Sequence, residues 1–145
     1  MNSKVDQYMP LRADENDMAS IEGDAHNQSA NVIMRMLGFI IRIMAFLTGS
    51  SKKIYLTVTN NRIITVEVNK MLWFIDGTVR SRSYTPRSVS ATGYELARSL
   101  IVFKTHYLLF SSGSESYLIK SRGGQPKVME LISEITALAE KVSSK

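Results

Sequence analysis

The stretch from residue 32 to residue 47 constrains the fold of this 145-residue chain most, because almost nothing in it is polar. It reads Val-Ile-Met-Arg-Met-Leu-Gly-Phe-Ile-Ile-Arg-Ile-Met-Ala-Phe-Leu, and its only charged side chains are Arg35 and Arg42. In a helix, which turns by about 100° per residue, two residues seven positions apart lie on one narrow stripe. The rest of such a helix cannot remain in water. The sequence therefore predicts an apolar, basic helix over residues 30–49 that is buried against something.

Three environments can bury this helix. A transmembrane span fits poorly, because sixteen residues rise about 24 Å, short of the roughly 30 Å of a hydrocarbon core. Two central arginines also cost about as much free energy on insertion as the apolar residues return. A helix lying in the membrane surface fits better, and packing against protein is the alternative. Both of these use the same candidate contact residues: Ile33, Arg35, Leu37, Phe39, Ile40, Arg42, Ile43, Phe46 and Leu47.

The segment before this helix is different in composition. The first thirty residues carry six acidic and two basic side chains, a net charge of −4, and few large apolar residues. Such a segment buries too little apolar surface to offset the entropy cost of ordering it. We therefore expect residues 1–29 to be an acidic disordered tail. An apolar stretch behind an acidic flank is also not the pattern of a secretory signal peptide.

After residue 50 the spacing of apolar residues changes to that of β-strands. Apolar and polar side chains alternate over residues 53–59 and again over residues 62–68. Asn60 and Asn61 lie between these segments and predict a tight hairpin turn. Further short segments follow, including a third predicted strand over residues 71–75. The sequence thus predicts an antiparallel meander of about seven strands.

The pattern changes once more near the C-terminus. Pro126 stands near the first position of a predicted helix, where its missing N–H costs nothing. From Val128 to Val142 the apolar residues follow helical spacing. An amphipathic helix after a meander is expected to cover the open side of the sheet. Residues 50–145 are therefore predicted to form one mainly β domain, a seven-stranded antiparallel barrel or sandwich capped by this helix.

This order of elements resembles the pleckstrin-homology superfold. Residues 55–64, Tyr-Leu-Thr-Val-Thr-Asn-Asn-Arg-Ile-Ile, resemble the first hairpin of bacterial pleckstrin-homology-like (PH-like) domains. In those domains a strand, a Thr-Asn turn, an arginine and paired aliphatic residues often follow one another. The resemblance covers residues 52–142 and implies a PH-like barrel or sandwich. The chain departs from eukaryotic members, which usually carry a tryptophan in the C-terminal helix, because Trp73 lies on a predicted strand.

No catalytic pattern is found in the sequence. There is no cysteine, and the two histidines, His26 and His106, have no acidic pair beside them at metal-ligand spacing. Nucleotide-binding and nucleophile motifs are also missing. We therefore expect a non-enzymatic protein with no metal and no cofactor.

Basic residues are the remaining candidates for binding. Residues 50–145 carry fourteen basic and seven acidic side chains, a net charge of +7. Arg80 and Arg82 are two residues apart on a predicted strand, so their side chains project to one face. Nucleic acid is disfavoured as a partner, because Tyr84 alone accompanies the arginines as an aromatic side chain. The candidates for binding anions or lipid headgroups, which can equally form an ordinary solvated face, are Lys52, Lys53, Arg80, Arg82 and Arg87.

Two functional hypotheses remain. The first is a non-enzymatic adaptor, a peripheral membrane-associated subunit of a bacterial complex, in the cytoplasm at the inner face of the membrane. The second is a soluble structural subunit of a homo- or hetero-oligomeric assembly, in which the apolar helix packs on protein. Protein partners are expected in both, and an anionic membrane surface is a partner only in the first.

Overall fold

Seven strands form most of the structure, which is a computed structural model. It describes residues 3–26, 49, 51–72, 74–99, 103–113 and 115–144. In chain order the elements of these residues are α1 (Ser3–Tyr8), β1 (Asp17–His26), β2 (Ser51–Thr59), β3 (Ile63–Met71), β4 (Ile75–Tyr84), a 3-10 turn (Pro86–Ser88), β5 (Val89–Ser99), β6 (Phe103–Ser112), β7 (Glu115–Ser121) and α2 (Gly124–Ser143).

The strands form two antiparallel sheets that are joined through β1. Strands β1 to β4 make a four-stranded sheet, and β5 to β7 make a three-stranded one. The last two residues of β1, Ala25 and His26, pair with Ile119 and Leu118 of β7. The resulting order is β4-β3-β2-β1-β7-β6-β5. Within the described residues β4 and β5 do not pair, so the barrel is not closed. The predicted mainly β fold with seven antiparallel strands and a C-terminal helix is confirmed.

The expectation that residues 1–29 are disordered is wrong for residues 3–26. Strand β1 pairs with β2 on one side and with β7 on the other, so it lies in the middle of the strand order. Its small and apolar residues alternate, and Ala19 and Ile21 are buried. Because this strand has neighbours on both sides, its backbone hydrogen bonds and buried side chains offset the entropy cost that an isolated segment could not.

The main core lies between the two sheets and α2. The helix turns its predicted apolar stripe toward the strands, and four of its residues are buried. Large aliphatic and aromatic side chains from both sheets complete this core. The members are Ala19, Ile21, Ile54, Leu56, Val58, Ile63, Leu108, Phe110, Tyr117, Ile119, Val128, Leu131, Ile135 and Leu138.

A second, smaller core lies on the other face of the four-stranded sheet. Val5 of α1 packs there on Tyr55 of β2 and on Ile64, Val66 and Val68 of β3. The N-terminal segment therefore covers a sheet face that would otherwise be apolar and exposed.

An ion pair holds this covering segment in place. The Arg62 guanidinium donates to both carboxylate oxygens of Glu15, with Nε 2.7 Å from Oε1 and Nη2 2.8 Å from Oε2. The Glu15 side chain is buried, and the hydrogen bond from Arg62 lowers its pKa below the usual value for glutamate. A carboxylate in this position ties the segment before β1 to the β2–β3 turn.

The predicted turn before β3 and the predicted strand at its end have different outcomes. The turn at Asn60 and Asn61 is confirmed, with the Thr59 N–H donating to the Arg62 carbonyl at 2.9 Å. The predicted strand over residues 71–75 is wrong, because Met71 pairs with Ile75 and the chain reverses between them. A short apolar run has the composition of a buried strand, and only its place in the topology distinguishes it from an exposed turn.

The predicted apolar helix over residues 30–49 lies outside the described residues, apart from Gly49. The same holds for Trp73 and for all nine candidate contact residues of that helix. Among the helices that the structure describes, none has both the length and the apolar character needed to cross a bilayer.

Candidate functional site

One end of the four-stranded sheet holds both attachment points of the apolar stretch. Near the end of β1, Asp24 pairs with Lys53, and at the start of β2, Ser51 pairs with Lys70. Since neighbouring strands are about 4.8 Å apart and residues about 3.4 Å, the β3–β4 turn begins about 6 Å from Ser51. We call this end, with Asp24, Ser51 and residues 71–75, the insertion end.

The β3–β4 turn at the insertion end carries a cluster of exposed apolar side chains, Met71, Leu72, Phe74 and Ile75, which we call the apolar tip. Met71, Leu72, Phe74 and Ile75 are 58%, 51%, 74% and 46% exposed. The sequence analysis assigned this run to a third strand. The signal that could have identified the turn is the apolar run itself, because the alternating patterns of two strands continue on either side of it.

Both lysines that were predicted to contact lipid headgroups lie at the insertion end. Lys52 Nζ is 2.6 Å from Glu67 Oε2, and Lys53 Nζ is 3.0 Å from Glu22 Oε1. Consecutive residues of a strand point to opposite faces, so the two ammonium groups are on different sides of β2. Each is already paired with a carboxylate, which reduces the positive charge that it presents to an anion.

Arg82 lies in a polar network between the two sheets. Its Nη1 forms an ion pair with Glu115, is 3.4 Å from Glu67 Oε1, and donates to the Tyr117 hydroxyl at 2.6 Å. The Tyr117 hydroxyl in turn is 2.9 Å from Glu67 Oε1 and 2.8 Å from Glu115 Oε2. Tyr84 donates to Glu115 at 2.6 Å. Lys52 reaches the same network through Glu67.

The network holds two carboxylates and two cations between the sheets. Burial raises the pKa of Tyr117 and of Tyr84, so both remain protonated donors. Burial alone opposes ionisation of Glu115, but hydrogen bonds from Tyr84 and Tyr117 and the charge of Arg82 outweigh it and lower the pKa of Glu115. These contacts join β3 and β4 to β7, although no backbone pairing connects either of them to β7 in the part of the chain described. The network is therefore a connection between sheets.

The remaining two basic candidates make no hydrogen bond within this network among the described residues. Arg80 is exposed on β4, opposite Glu67 in the β3–β4 pairing, and its charge helps to lower the pKa of Glu115. Arg87 lies in the 3-10 turn, where its Nη2 is 3.4 Å from the Val142 carbonyl near the end of α2. Because β4 runs from Ile75 at the insertion end to Tyr84, Arg87 is at the opposite end of the sheet. The five basic candidates therefore do not all converge on one site, although Lys52, Arg80 and Arg82 lie around Glu67.

Metal-ligating side chains do not gather in the described ranges, which contain no group of three or more His, Cys, Asp or Glu residues that could hold an ion. His106 contacts Tyr94 instead, with Nδ1 2.8 Å from the hydroxyl and the two rings stacked.

Comparison with known proteins identifies no relative. No protein-family model matches the chain, and no curated protein and no solved structure is significantly similar to it.

Proposed function

We propose that this protein is a non-enzymatic adaptor with a PH-like β body, which binds an anionic membrane surface through residues 30–48 as a peripheral subunit of a bacterial complex. The observation that carries this proposal is the strand pairing at the insertion end. Strand β1 enters the apolar stretch and β2 leaves it, and both are paired in one sheet. The stretch is thus attached at both ends to a single folded body.

These two attachments limit how a helix over residues 32–47 can lie. Such a helix is about 24 Å long. Five residues connect it to β1 and three connect it to β2, and an extended residue spans at most about 3.5 Å. Six such steps lie between the end of β1 and the start of the helix, and four between the helix and β2, so the connections reach about 21 Å and about 14 Å. A helix standing upright on the sheet end would need a return of about 24 Å, which neither connection provides. This favours a helix lying across the insertion end, parallel to a membrane surface, over one that spans the bilayer.

The two arginines supply the attraction to anionic lipid in this arrangement. The lysines of the insertion end already have acidic partners, whereas Arg35 and Arg42 lie on one stripe of the predicted helix. In a helix at the membrane surface, such a stripe reaches phosphates while the apolar arc enters the acyl boundary. The four-plus-three strand arrangement followed by a packed helix supports the PH-like part of the proposal.

A second candidate, the structural subunit, is supported by the two edge strands. Strands β4 and β5 have ten and eleven residues, and each has a neighbour on one side only among the described residues. An unpaired strand edge can accept a strand of a partner. In this case the apolar stretch packs on protein and the chain does not bind vesicles.

Co-sedimentation with phosphatidylglycerol vesicles separates the two candidates. Each cation near an anionic surface contributes about 1 kcal/mol, so replacing Arg35 and Arg42 together by glutamate should weaken binding at least about thirtyfold. Added salt should reproduce part of this loss. Replacing Ile40 and Ile43 by aspartate should abolish binding at any salt concentration, because it removes the apolar contribution.

The matched control changes charge at the opposite end of the sheet. Arg87→Glu combined with Lys141→Glu alters the net charge as much as the arginine reversal does, and both side chains are exposed. This control should bind nearly as well as the unmodified chain. The membrane proposal is wrong if the unmodified chain does not sediment with anionic vesicles. The structural-subunit hypothesis is supported if the aspartate pair instead dissociates an oligomer.

A further inference from the structure

We propose that the apolar tip inserts into the same membrane as a second contact beside residues 30–48. This inference rests on the proposed function and identifies a further binding surface for it. The surface is formed by the exposed side chains of Met71, Leu72, Phe74 and Ile75. None of these residues was among the contacts that the sequence predicted.

The clustering of these side chains distinguishes them from ordinary surface residues. In the described part of the chain six large apolar residues are exposed, and four of them lie in this single turn. The other two, Met18 on β1 and Met129 on α2, are isolated. Single exposed apolar side chains are normal on a soluble surface, whereas a contiguous cluster marks an interaction site.

Strand pairing and an ion pair fix the base of the tip. Met71 pairs with Ile75, and Lys70 Nζ is 3.1 Å from Asp76 Oδ1 at the base of the turn. Leu72 has a φ of 51°, a left-handed conformation that costs a non-glycine residue about 1 kcal/mol and that pairing on both sides maintains. The glycine at position 77 leaves room for the Met71 side chain, because a Cβ on Gly77 would be only 3.3 Å from Met71 Cγ.

A lipid bilayer fits this surface better than a protein does. A specific protein interface buries about 800 Å² on each partner, from roughly 20 to 30 residues. The four exposed side chains of one turn are too few to supply that area by themselves. A bilayer accepts an exposed apolar turn without needing a complementary pocket. In the sequence Trp73 lies between Leu72 and Phe74, and tryptophan is enriched at membrane–water interfaces.

The position of the tip gives the second argument for lipid. Ser51, where the apolar stretch joins β2, and Met71, where the tip begins, lie at the same end of the sheet, about 6 Å apart. A membrane that receives residues 30–48 across this end is therefore within reach of the tip. Two adjacent apolar elements on one folded body bind cooperatively, because the second insertion is intramolecular.

The lone tryptophan of the chain makes the test specific. Trp73 is the only tryptophan, so intrinsic tryptophan fluorescence reports on the tip alone. The full-length protein is titrated with phosphatidylglycerol–phosphatidylcholine vesicles, with and without brominated acyl chains. We expect the Trp73 emission to shift to shorter wavelength and to be quenched by the bromine atoms. Sedimentation of the same samples reports separately on membrane binding as a whole.

Two outcomes separate this inference from the proposed function. If the protein sediments with vesicles but the Trp73 emission neither shifts nor is quenched, the tip does not insert, and the proposed function stands. If the protein does not sediment and the emission is unchanged, both are overturned. A blue shift on self-association without vesicles would also overturn the inference, since a second copy would then cover the tip.

Substitutions provide a matched comparison. Met71→Asp in the tip and Met129→Asp on α2 change the same residue type at similarly exposed positions, 58% and 48%. Met71→Asp, and separately Phe74→Asp, should weaken vesicle binding about tenfold or more, while Met129→Asp should leave it unchanged. Circular dichroism melting confirms that each variant is folded. Equal binding by the tip variants and Met129→Asp would overturn the inference.

Discussion

Replacing Gly23 by alanine should strongly destabilise the protein, because this glycine lies where β1 passes from one sheet to the other. A Cβ at this position would overlap the carbonyl oxygen of Lys120 and lie 2.8 Å from Ile119 Cγ2. The carbonyl belongs to the backbone of β7, so it cannot rotate away as a flexible side chain can. The two strands must therefore separate.

The magnitude follows from the contacts that this separation disrupts. Overpacking in a well-packed region typically costs about 1–3 kcal/mol. The substitution would also disrupt the adjacent pairs of β1 with β7, at Ala25 and His26, and each hydrogen bond lost there costs about 0.5–1.5 kcal/mol. We therefore expect Gly23→Ala to reduce the free energy of unfolding by about 3–5 kcal/mol. That is a large part of the roughly 5–15 kcal/mol typical of a domain.

Urea unfolding of the full-length protein, followed by circular dichroism, measures this loss. The matched control is Gly93→Ala on β5, where a Cβ would be 3.7 Å from the Leu109 side chain, an ordinary contact. This control should change the free energy of unfolding by less than about 1 kcal/mol. If Gly23→Ala is as mild as Gly93→Ala, then β1 does not cross between the sheets, and residues 1–29 behave as a tail.

Three further changes test the packing and electrostatics of the fold. Tyr117→Phe removes the hydroxyl shared by the two carboxylates of the polar network and should lower the free energy of unfolding in urea by about 2 kcal/mol. An unchanged free energy of unfolding would contradict the network. The pKa values of Glu15 and Glu115 are lowered in the folded protein, so their stabilisation is present at neutral pH and is lost as the pH falls below about 4. The free energy of unfolding measured from pH 7 to pH 3 should show this loss, and Glu15→Gln should make its dependence on pH less steep. An equally steep dependence in the variant would exclude the Glu15 contribution. Leu131→Ala in the buried stripe of α2 should lower the free energy of unfolding by about 2–5 kcal/mol, whereas the exposed Met129→Ala should change it by about 0.5 kcal/mol or less. Equal effects of these two substitutions would contradict the docking of α2.

Elements with a regular apolar period could be predicted from the sequence. Strands β2 and β3 alternate around the Asn60-Asn61 turn, and α2 repeats its apolar residues at helical spacing, so each was found close to its position. Strand β1 was missed because its alternation is short and lies among acidic residues. Its stability depends on β2 and β7, which are distant in sequence, and composition carries no information about such neighbours.

The candidate site shows the same division between local and distant information. The charge of Lys52 and Arg82 is visible in the sequence, but their neutralisation is not, because Glu67 and Glu115 lie on other strands. The position of the apolar tip also depends on topology. Only the pairing of β1, β2 and β3 brings the tip and the attachment points of residues 27–50 to one end of the sheet.

Hydrogen exchange of the full-length protein, measured by mass spectrometry with and without phosphatidylglycerol vesicles, tests most directly whether the insertion end binds a membrane. We expect the amides of residues 27–50 and 71–75 to exchange more slowly when vesicles are present. The turn at Asn60 and Asn61, at the opposite end of the four-stranded sheet, should exchange at the same rate in both conditions. Exchange at the insertion end that is unchanged by vesicles, or slowing confined to the opposite end, would contradict membrane binding through this surface.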